Sequence, residues 1–368
     1  MAIMHDTRHP SFGIVEFTGS AHERGFQYGE KFADNISEML DRSYVFYKDV
    51  ANLSKDQMLK TAGKFWPFIE EYSNEIADEL KGLCEGSNRK IEEITLLTSF
   101  SEIQFYYASA RVSRYGRSTG CTSFCATGEA TKNGDTLIGQ NNDGSLHPNL
   151  DEFDFLMKMK TDSGVELLTL TIMGCPAFVG LNSKGIALCI NALSDGDFRI
   201  GVPFSVITRK VLGSKNIGEA INAVITPERG AGANYLIADE NGECYDIETT
   251  ARSFNYFYVD KYIGHANHYM ARSTSGNVQI TNAGTIVRGN RINKLLNRHS
   301  GKINIETCFE FLKDHVNYPT SICTHPNEDL PPEMAMKTMD SVVISPSKRE
   351  IHITRDNPCK AAFKKYAL

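Results

Sequence analysis

The apolar pattern of this chain changes period near residue 111, from helical to strand-like, and that change limits the folds open to it. Before it the spacing is helical. Phe26, Phe32, Ile36 and Leu40 recur at helical intervals in AHERGFQYGEKFADNISEML, after a short apolar stretch from Phe12 to Phe17. Ser54 with Gln57 forms a capping box that opens the next helix. Pro67 should kink that helix, and IEEITLLTSFSEIQFYYA (91–108) gives a third helical run. RVSRYGRSTG (111–120) then has no apolar period, three arginines and two glycines, and reads as an exposed loop. From 121 onward short β-rich runs dominate: DTLIGQ, FDFLMKMK, ELLTLTIM, AFVGLN and GIALCINAL. Turn signals at Asn133-Gly134, Asp143-Gly144, Ser163-Gly164 and Ser183-Lys184-Gly185 separate them. Such spacing favours hairpins and an antiparallel sheet over parallel βαβ units. Helical pattern returns over 204–225. A hairpin turning at Asn241-Gly242 follows, with FNYFYVDKYIGHAN continuing it. Helices at about 289–299 and 305–316 and a last hairpin, MDSVVISPSKREIHIT, complete the chain. The class is α+β, two antiparallel sheets with helices packed on them.

At 368 residues the chain fits one large domain or two ordinary ones. Its 39 Lys and Arg against 45 Asp and Glu leave a net charge of −6, without the basic excess that tracks a phosphate backbone. A dedicated nucleic-acid binder is excluded on that ground. No window approaches the roughly 18 consecutive apolar residues of a membrane span, and MAIMHDTRHP has no apolar core of a secretory signal. The expectation is a cytoplasmic protein with no membrane or nucleic-acid partner. Nine cysteines, at 84, 121, 125, 175, 189, 244, 308, 323 and 359, are odd in number and contain no C-x-x-C pair. They read mostly as small core hydrophobes of a reducing compartment, not as a disulfide framework or a zinc site. His265-x-x-His268 makes no metal pair either, since residues three apart on a strand point to opposite faces. No metal and no cofactor is expected.

One cysteine stands apart. In Ser118-Thr-Gly-Cys-Thr-Ser-Phe-Cys125 a nucleophile, Cys121, opens a β-run directly after a glycine and a polar loop. That is the layout of a chain cut between Gly120 and Cys121. Glycine lacks the Cβ that would hinder approach of the thiol to its carbonyl. An N→S acyl shift followed by hydrolysis would free Cys121 as a new N-terminus. Its α-amine, with an ordinary pKa of about 8, then stands beside its own thiol as a general base. A buried strand cysteine after a turn is the alternative these residues allow.

The surrounding landmarks give that cysteine a context. Gly120-Cys-Thr-Ser-Phe-Cys125 is followed by Gly139-Gln-Asn-Asn-Asp143. Then come Gly180-Leu-Asn-Ser-Lys-Gly-Ile-Ala with Asn191-Ala-Leu, and Ala233-Asn-Tyr-Leu-Ile-Ala-Asp with Asp246-Ile-Glu. Gly264-His-Ala-Asn-His, Arg288 to Leu296, and Asn317-Tyr-Pro-Thr-Ser-Ile-Cys complete the series, with the segment around Arg24, Gly25 and Gly29 matching less specifically. In this order, over most of the chain, they resemble the acyl-coenzyme A:6-aminopenicillanic acid acyltransferase (isopenicillin-N acyltransferase-like) family of self-processing cysteine N-terminal-nucleophile (Ntn) hydrolases.

The resemblance implies an αββα four-layer sandwich of two antiparallel sheets. It implies self-cleavage into a helical segment, 1–120, and a catalytic segment, 121–368, which remain one structural unit as an α/β heterodimer, with a higher homo-oligomer left open. Carried over by position, Cys121 is nucleophile and base, Asp143 orients or polarises the new terminus, and Asn267 donates its side-chain amide to the oxyanion. Gly120, Cys121 and Ser123 take part in self-cleavage, Ser123 through a hydroxyl beside the nucleophile. Asn142, Asn191, Asn234 and His268 are the candidate substrate contacts, although Asn191 and Asn234 equally suit turn caps. The chain also departs from the family. Asn142 and Gly144 stand where aromatics are frequent, and Ala233 stands where the fungal penicillin enzyme has serine. The segment Thr324-His-Pro-Asn-Glu-Asp-Leu differs too, and both it and Ala233 are expected to touch substrate or leaving group. The function implied is hydrolysis of a linear amide, an N-acyl small molecule, through a thioester acyl-enzyme. Acyl transfer from coenzyme A or an amide to an amine is the alternative, with a coenzyme A thioester as partner. An unprocessed or non-catalytic binding homologue is the second alternative.

Overall fold

The computed structural model describes residues 13–108, 119–146, 150–193, 196–271, 283–330 and 335–368. The 111–118 loop and Phe12 lie outside them. Strand β1 (Ile14–Phe17) leads into α1 (Ala21–Lys31), α2 (Ala33–Ala51), α3 (Lys55–Ala62), α4 (Trp66–Tyr72), α5 (Asn74–Ser87), α6 (Ile91–Thr98) and α7 (Phe100–Ala108). Ser20 and Ser54 open α1 and α3 through reciprocal capping boxes with Glu23 and Gln57. Two of the long helical runs in the sequence are divided, at Phe32 and at Ser99. Pro67 kinks nothing: it lies in the first turn of α4, where its missing N–H costs no hydrogen bond. Helices α1 and α5 pack backbone to backbone. A Cβ on Gly25 would lie 1.8 Å from the Glu79 carbonyl oxygen, and one on Gly29 2.4 Å from that of Leu83, so neither position admits a side chain.

The first sheet has the order β1-β4-β5-β6-β7-β8-β9-β10. Its further strands are β4 (Asp154–Lys160), β5 (Glu166–Ile172), β6 (Val179–Asn182), β7 (Ile186–Ala192), β8 (Ala233–Asp239), β9 (Cys244–Thr249) and β10 (Phe254–Tyr258). The second sheet has the order β11-β2-β3-β12-β13-β14. It comprises β2 (Thr119–Gly128), β3 (Gly134–Ser145), β11 (Tyr262–His265), β12 (Met336–Ser345), β13 (Glu350–Arg355) and β14 (Lys364–Ala367). Neighbouring strands are antiparallel throughout, except that β1 runs parallel to β4 at the edge of the first sheet. Gly134, Gly164, Gly185 and Gly242 all adopt positive φ, as hairpin turns require. Asp143-Gly144, expected as a turn, is instead inside β3, paired on one side with β2 and on the other with β12. A Cβ on Gly144 would come 2.8 Å from Met339 Cε, the far end of a flexible side chain. The FNYFYVDKYIGHAN run does not stay in one sheet: β10 ends the first and β11 begins at the edge of the second.

Helices α8 (Phe204–Leu212) and α9 (Ile217–Ile225) pack on the outer face of the first sheet. Helices α10 (Ala283–His299) and α11 (Ile305–Leu312) pack on the outer face of the second. The sheets face each other, β2 and β3 against β7 and β8. This is the αββα sandwich. Strands such as β6 and β8 are buried along their whole length, as strands covered on both faces must be. Residues of β1 and α1–α7, such as Phe17, Tyr28, Ile69 and Leu97, share one core with Leu156, Leu170 and Leu236 of the first sheet. Phe124, Leu137, Ile292, Leu296 and Phe311 form a second core under α10 and α11.

Candidate active site

Strands β2 and β3 set Cys121 opposite Asn142 and Gly120 opposite Asp143. Alternation along β2 turns Cys121 and Ser123 between the sheets and Thr122 toward α10. A Cβ on Gly120 would lie 2.9 Å from Asp143 Oδ2, so glycine lets the carboxylate stand directly against the Gly120–Cys121 segment. The Cys121 backbone N–H donates to Asn267 Oδ1 at 2.8 Å, and its thiol faces Asn142 Oδ1 at 4.0 Å. Asn267 is held in turn: its Nδ2 donates to the Ala192 carbonyl (3.0 Å) and its backbone N–H to Thr285 Oγ1 (2.7 Å).

Arg288 joins these groups. From α10 its Nη1 donates to the Cys121 carbonyl (2.5 Å) and Thr122 Oγ1 (2.8 Å), and its Nη2 to Asn267 Oδ1 (2.8 Å). It also lies 4.0 Å from Asp143 Oδ2. Asp143 accepts hydrogen bonds from Thr338 Oγ1 (2.7 Å) and Thr324 Oγ1 (3.1 Å). A register shift between Thr338 and Asp340 of β12 sets these two side chains against adjacent residues of β3. Thr338 meets Asp143, and Asp340 Oδ1 accepts from Asn142 Nδ2 (2.5 Å). Gln140 Nε2 donates to Asn142 Oδ1. Burial raises the Asp143 carboxyl above its ordinary value, against the opposing pull of Arg288 and the two threonines. Burial first, and then the Asp143 charge, push the Cys121 thiol up to about 12 although Arg288 opposes them. In the uncut chain the thiol is therefore protonated at neutral pH.

Cys121, Asn142 and Asp143 open on a cavity of about 180 Å³. Its wall is mostly apolar, with Phe46, Phe100, Phe105, Phe178 and Phe204 prominent, and Ala233 part of it. Of the remaining residues singled out in the sequence, Asn191, Asn234 and His268 do not line this cavity. Ser123 Oγ donates to Asn191 Oδ1 (2.6 Å), not to Cys121, and Asn234 Nδ2 donates to Asp246 Oδ1 (2.6 Å). They belong to a buried polar network between the sheets. His268 Nδ1 meets Thr285 Oγ1 at 3.0 Å, while His265 Nε2 meets Glu248 Oε1 at 2.9 Å. The two histidines thus take different partners, their ring centroids 6.4 Å apart. Thr324, expected at the substrate, is bonded to Asp143. Sequence reasoning missed Arg288 as a site residue, noting it only as a landmark. Its signal is its place on the apolar face of α10: Arg288, Ile292, Leu295 and Leu296 share one helical stripe, and an arginine there must find partners in the interior.

The profile of the acyl-coenzyme A:6-aminopenicillanic acid acyl-transferase family matches residues 130–360. The 40 kDa form of acyl-coenzyme A:6-aminopenicillanic-acid-acyltransferase from Emericella nidulans is 24% identical over 327 residues, 84% of each chain. Among solved structures, the Caenorhabditis elegans ortholog of N-acylethanolamine-hydrolyzing acid amidase aligns over 67% of this chain and 100% of its own, with 15% identity and a TM-score of 0.48. Penicillin V acylase from Agrobacterium tumefaciens aligns over 67% of this chain and 86% of its own, with 12% identity and a TM-score of 0.44. Because the family profile spans more than half of its length, the chain belongs to the acyl-coenzyme A:6-aminopenicillanic acid acyl-transferase family of enzymes.

Proposed function

We propose that this chain is the precursor of an N-terminal-cysteine amidohydrolase that removes an apolar acyl group from a linear amide. The observation that carries the reading is Cys121 at the mouth of a phenylalanine-lined cavity, its nitrogen bonded to Asn267 and its strand neighbours Gly120 and Asn142 beside Asp143. In self-cleavage the Cys121 sulfur adds to the Gly120 carbonyl. The C–N bond breaks, the nitrogen leaves as the α-amine carrying the thiol proton, and water hydrolyses the thioester to leave Gly120 a carboxylate. The segments 1–120 and 121–368 then form the two chains. Ser123, bonded to Asn191, acts as a positioning residue.

In turnover the α-amine takes the thiol proton and the thiolate adds to the substrate carbonyl. Asp143 orients the new ammonium. The Asn267 NH₂ has two hydrogens, and the one not given to Ala192 meets the oxyanion. The ammonium proton goes to the departing amine, and water, activated by the same α-amine, hydrolyses the thioester. The names of the family and of the Emericella nidulans relative favour a second reading, acyl transfer from a coenzyme A thioester.

Denaturing intact mass of the purified chain tests the processing: two chains are expected, the larger beginning at Cys121. Cys121→Ala should give a single uncut chain with no turnover; cutting at Gly120 in that variant would overturn the mechanism. With N-acyl amides of increasing chain length, release of amine identifies the hydrolase. Release of a free thiol only from coenzyme A thioesters would identify the transferase instead.

A further inference from the structure

Outside the candidate active site, four metal-ligating side chains converge beside the end of β13. His315, Cys323, His325 and Cys359 each offer one ligand atom, and the four atoms lie within 4.8 Å of one another. The Sγ atoms of Cys323 and Cys359 are 3.7 Å apart. His325 Nε2 lies 3.5 Å from Cys323 Sγ, 3.4 Å from Cys359 Sγ and 3.1 Å from His315 Nε2. A tetrahedral zinc ion, with Zn–S of about 2.3 Å and Zn–N of about 2.0–2.1 Å, spaces its ligands about 3.8 Å (S–S), 3.6 Å (S–N) and 3.3 Å (N–N) apart. The four separations among His325, the two sulfurs and His315 Nε2 given above follow that pattern, 3.1 Å between nitrogens, 3.4 and 3.5 Å between nitrogen and sulfur, and 3.7 Å between sulfurs.

Hydrogen bonding alone does not account for the cluster. One imidazole nitrogen carries either one hydrogen or one lone pair. His325 Nε2 nevertheless has three polar atoms converging on it within 3.5 Å. A cation at the centre gives every one of these atoms the same partner. We propose that His315, Cys323, His325 and Cys359 bind a structural zinc ion.

Surrounding contacts suit this role. Asn357 Nδ2 donates to Cys323 Sγ at 3.4 Å and to the Thr324 carbonyl at 2.7 Å, the outer hydrogen bonding that orients a thiolate ligand. The segment after α11 crosses from Lys313 to Leu330 without helix or strand, tied by isolated backbone bonds such as Cys323 N–H to the Asp314 carbonyl (3.0 Å) and His325 N–H to the Pro319 carbonyl (2.9 Å). A zinc ion would fasten that segment to the turn at Asn357–Cys359. Thr324, between two of the ligands, is the residue whose hydroxyl holds Asp143. The zinc site would thereby fix one wall of the active site without touching substrate. Sequence reasoning looked for close cysteine pairs, and this set joins Cys323-x-His325 to single residues eight positions before it and 34 after it.

The test uses the untagged full chain, loaded with excess zinc, desalted, and assayed for metal by mass spectrometry. One zinc per chain is expected. His315→Ala and Cys359→Ser, both at exposed positions, should each lower zinc retention at least tenfold and remove any effect of a chelator on the melting temperature. Cobalt exchanged into the wild type should show the absorption of a tetrahedral cobalt thiolate. Retention of less than a tenth of an equivalent by the wild type would overturn the proposal. So would equal zinc in wild type and variants, or a Cys323–Cys359 disulfide in reduced, freshly purified protein.

Discussion

Glu102 stands in the cavity wall with only one of its two carboxyl oxygens bonded among the described residues. Oε1 accepts from the Phe204 N–H (2.7 Å), while Oε2 is buried without a partner. Burial pushes this carboxyl from 4.5 up to about 7, despite the Phe204 hydrogen bond. The folded state therefore holds a proton that the unfolded chain releases. Stability from this group is complete below about pH 4.5 and is lost as pH rises toward 7, a change of roughly 3 kcal/mol at 1.36 kcal/mol per unit. Glu102→Gln keeps the acceptor for Phe204 and removes the titration. Its stability relative to wild type should be near zero at pH 5 and rise by roughly 3 kcal/mol at pH 8. Denaturant melts at both pH values measure it, and a difference independent of pH would remove Glu102 as the titrating group. Asn267→Ala belongs to the same scale. Loss of one aimed oxyanion donor lowers kcat by about 10²–10³, and an unchanged kcat in the processed enzyme would exclude that role.

At the scale of elements, strand β12 decides how Asp143 is held. Its register shift presents Thr338 to Asp143 and Asp340 to Asn142, and the Thr338 hydroxyl also accepts the Thr324 N–H at 2.9 Å. The Thr338 hydrogen bond lowers the Asp143 pKa. Thr338→Val should therefore raise it and move the acid limb of the kcat/KM–pH profile upward, while Thr338→Ser restores it. An unmoved acid limb would leave Thr338 a purely structural residue. Such a device is not legible in sequence, because neither the shift nor the pairing partner leaves a local signature. What was legible is what local chemistry writes: the capping box at Ser54, the positive-φ hairpin glycines, and Cys121 on a β-run, although the strand begins two residues before it, at Thr119. Asp143-Gly144 looked like a turn because the pair has the same composition as one. Only the pairing of Gly144 with Thr119 of β2 and Lys337 of β12 reveals that it is inside a strand. Arg288 was visible as a residue and invisible as a partner of Cys121 and Thr122, which lie 167 and 166 positions away.

Over the whole molecule, residues 13–108 are built into the framework of the two sheets, which bears on what a cut at Gly120 would do. Strand β1 pairs with β4, and Phe17 stacks on Tyr28, which meets Phe155 of β4. Arg24 of α1 binds Glu75 of α5 (3.0 Å) and Asp162 of the β4–β5 turn (2.9 Å), and Arg209 of α8 binds Glu79 of α5 (3.0 Å). Both arginines are buried, and both lie within 4 Å of Glu75 and Glu79. Cutting the chain breaks none of these contacts. The two segments should therefore co-elute as one species in native size exclusion and separate only in denaturant. Separation without denaturant would contradict this reading of the interface. Arg209→Met keeps most of the volume and leaves Glu79 buried with Arg24 alone, a loss of about 3–5 kcal/mol for breaking a buried pair. Once the chain is cut, unfolding and dissociation become one event, so the variant should release the helical segment at a lower denaturant concentration as protein is diluted. The wild-type midpoint should show the same dilution dependence from a higher starting point. If the Arg209→Met midpoint matches wild type at every concentration, the ion cluster does not hold the segments together, and the apolar contacts of β1 and α1 with β4 carry that task.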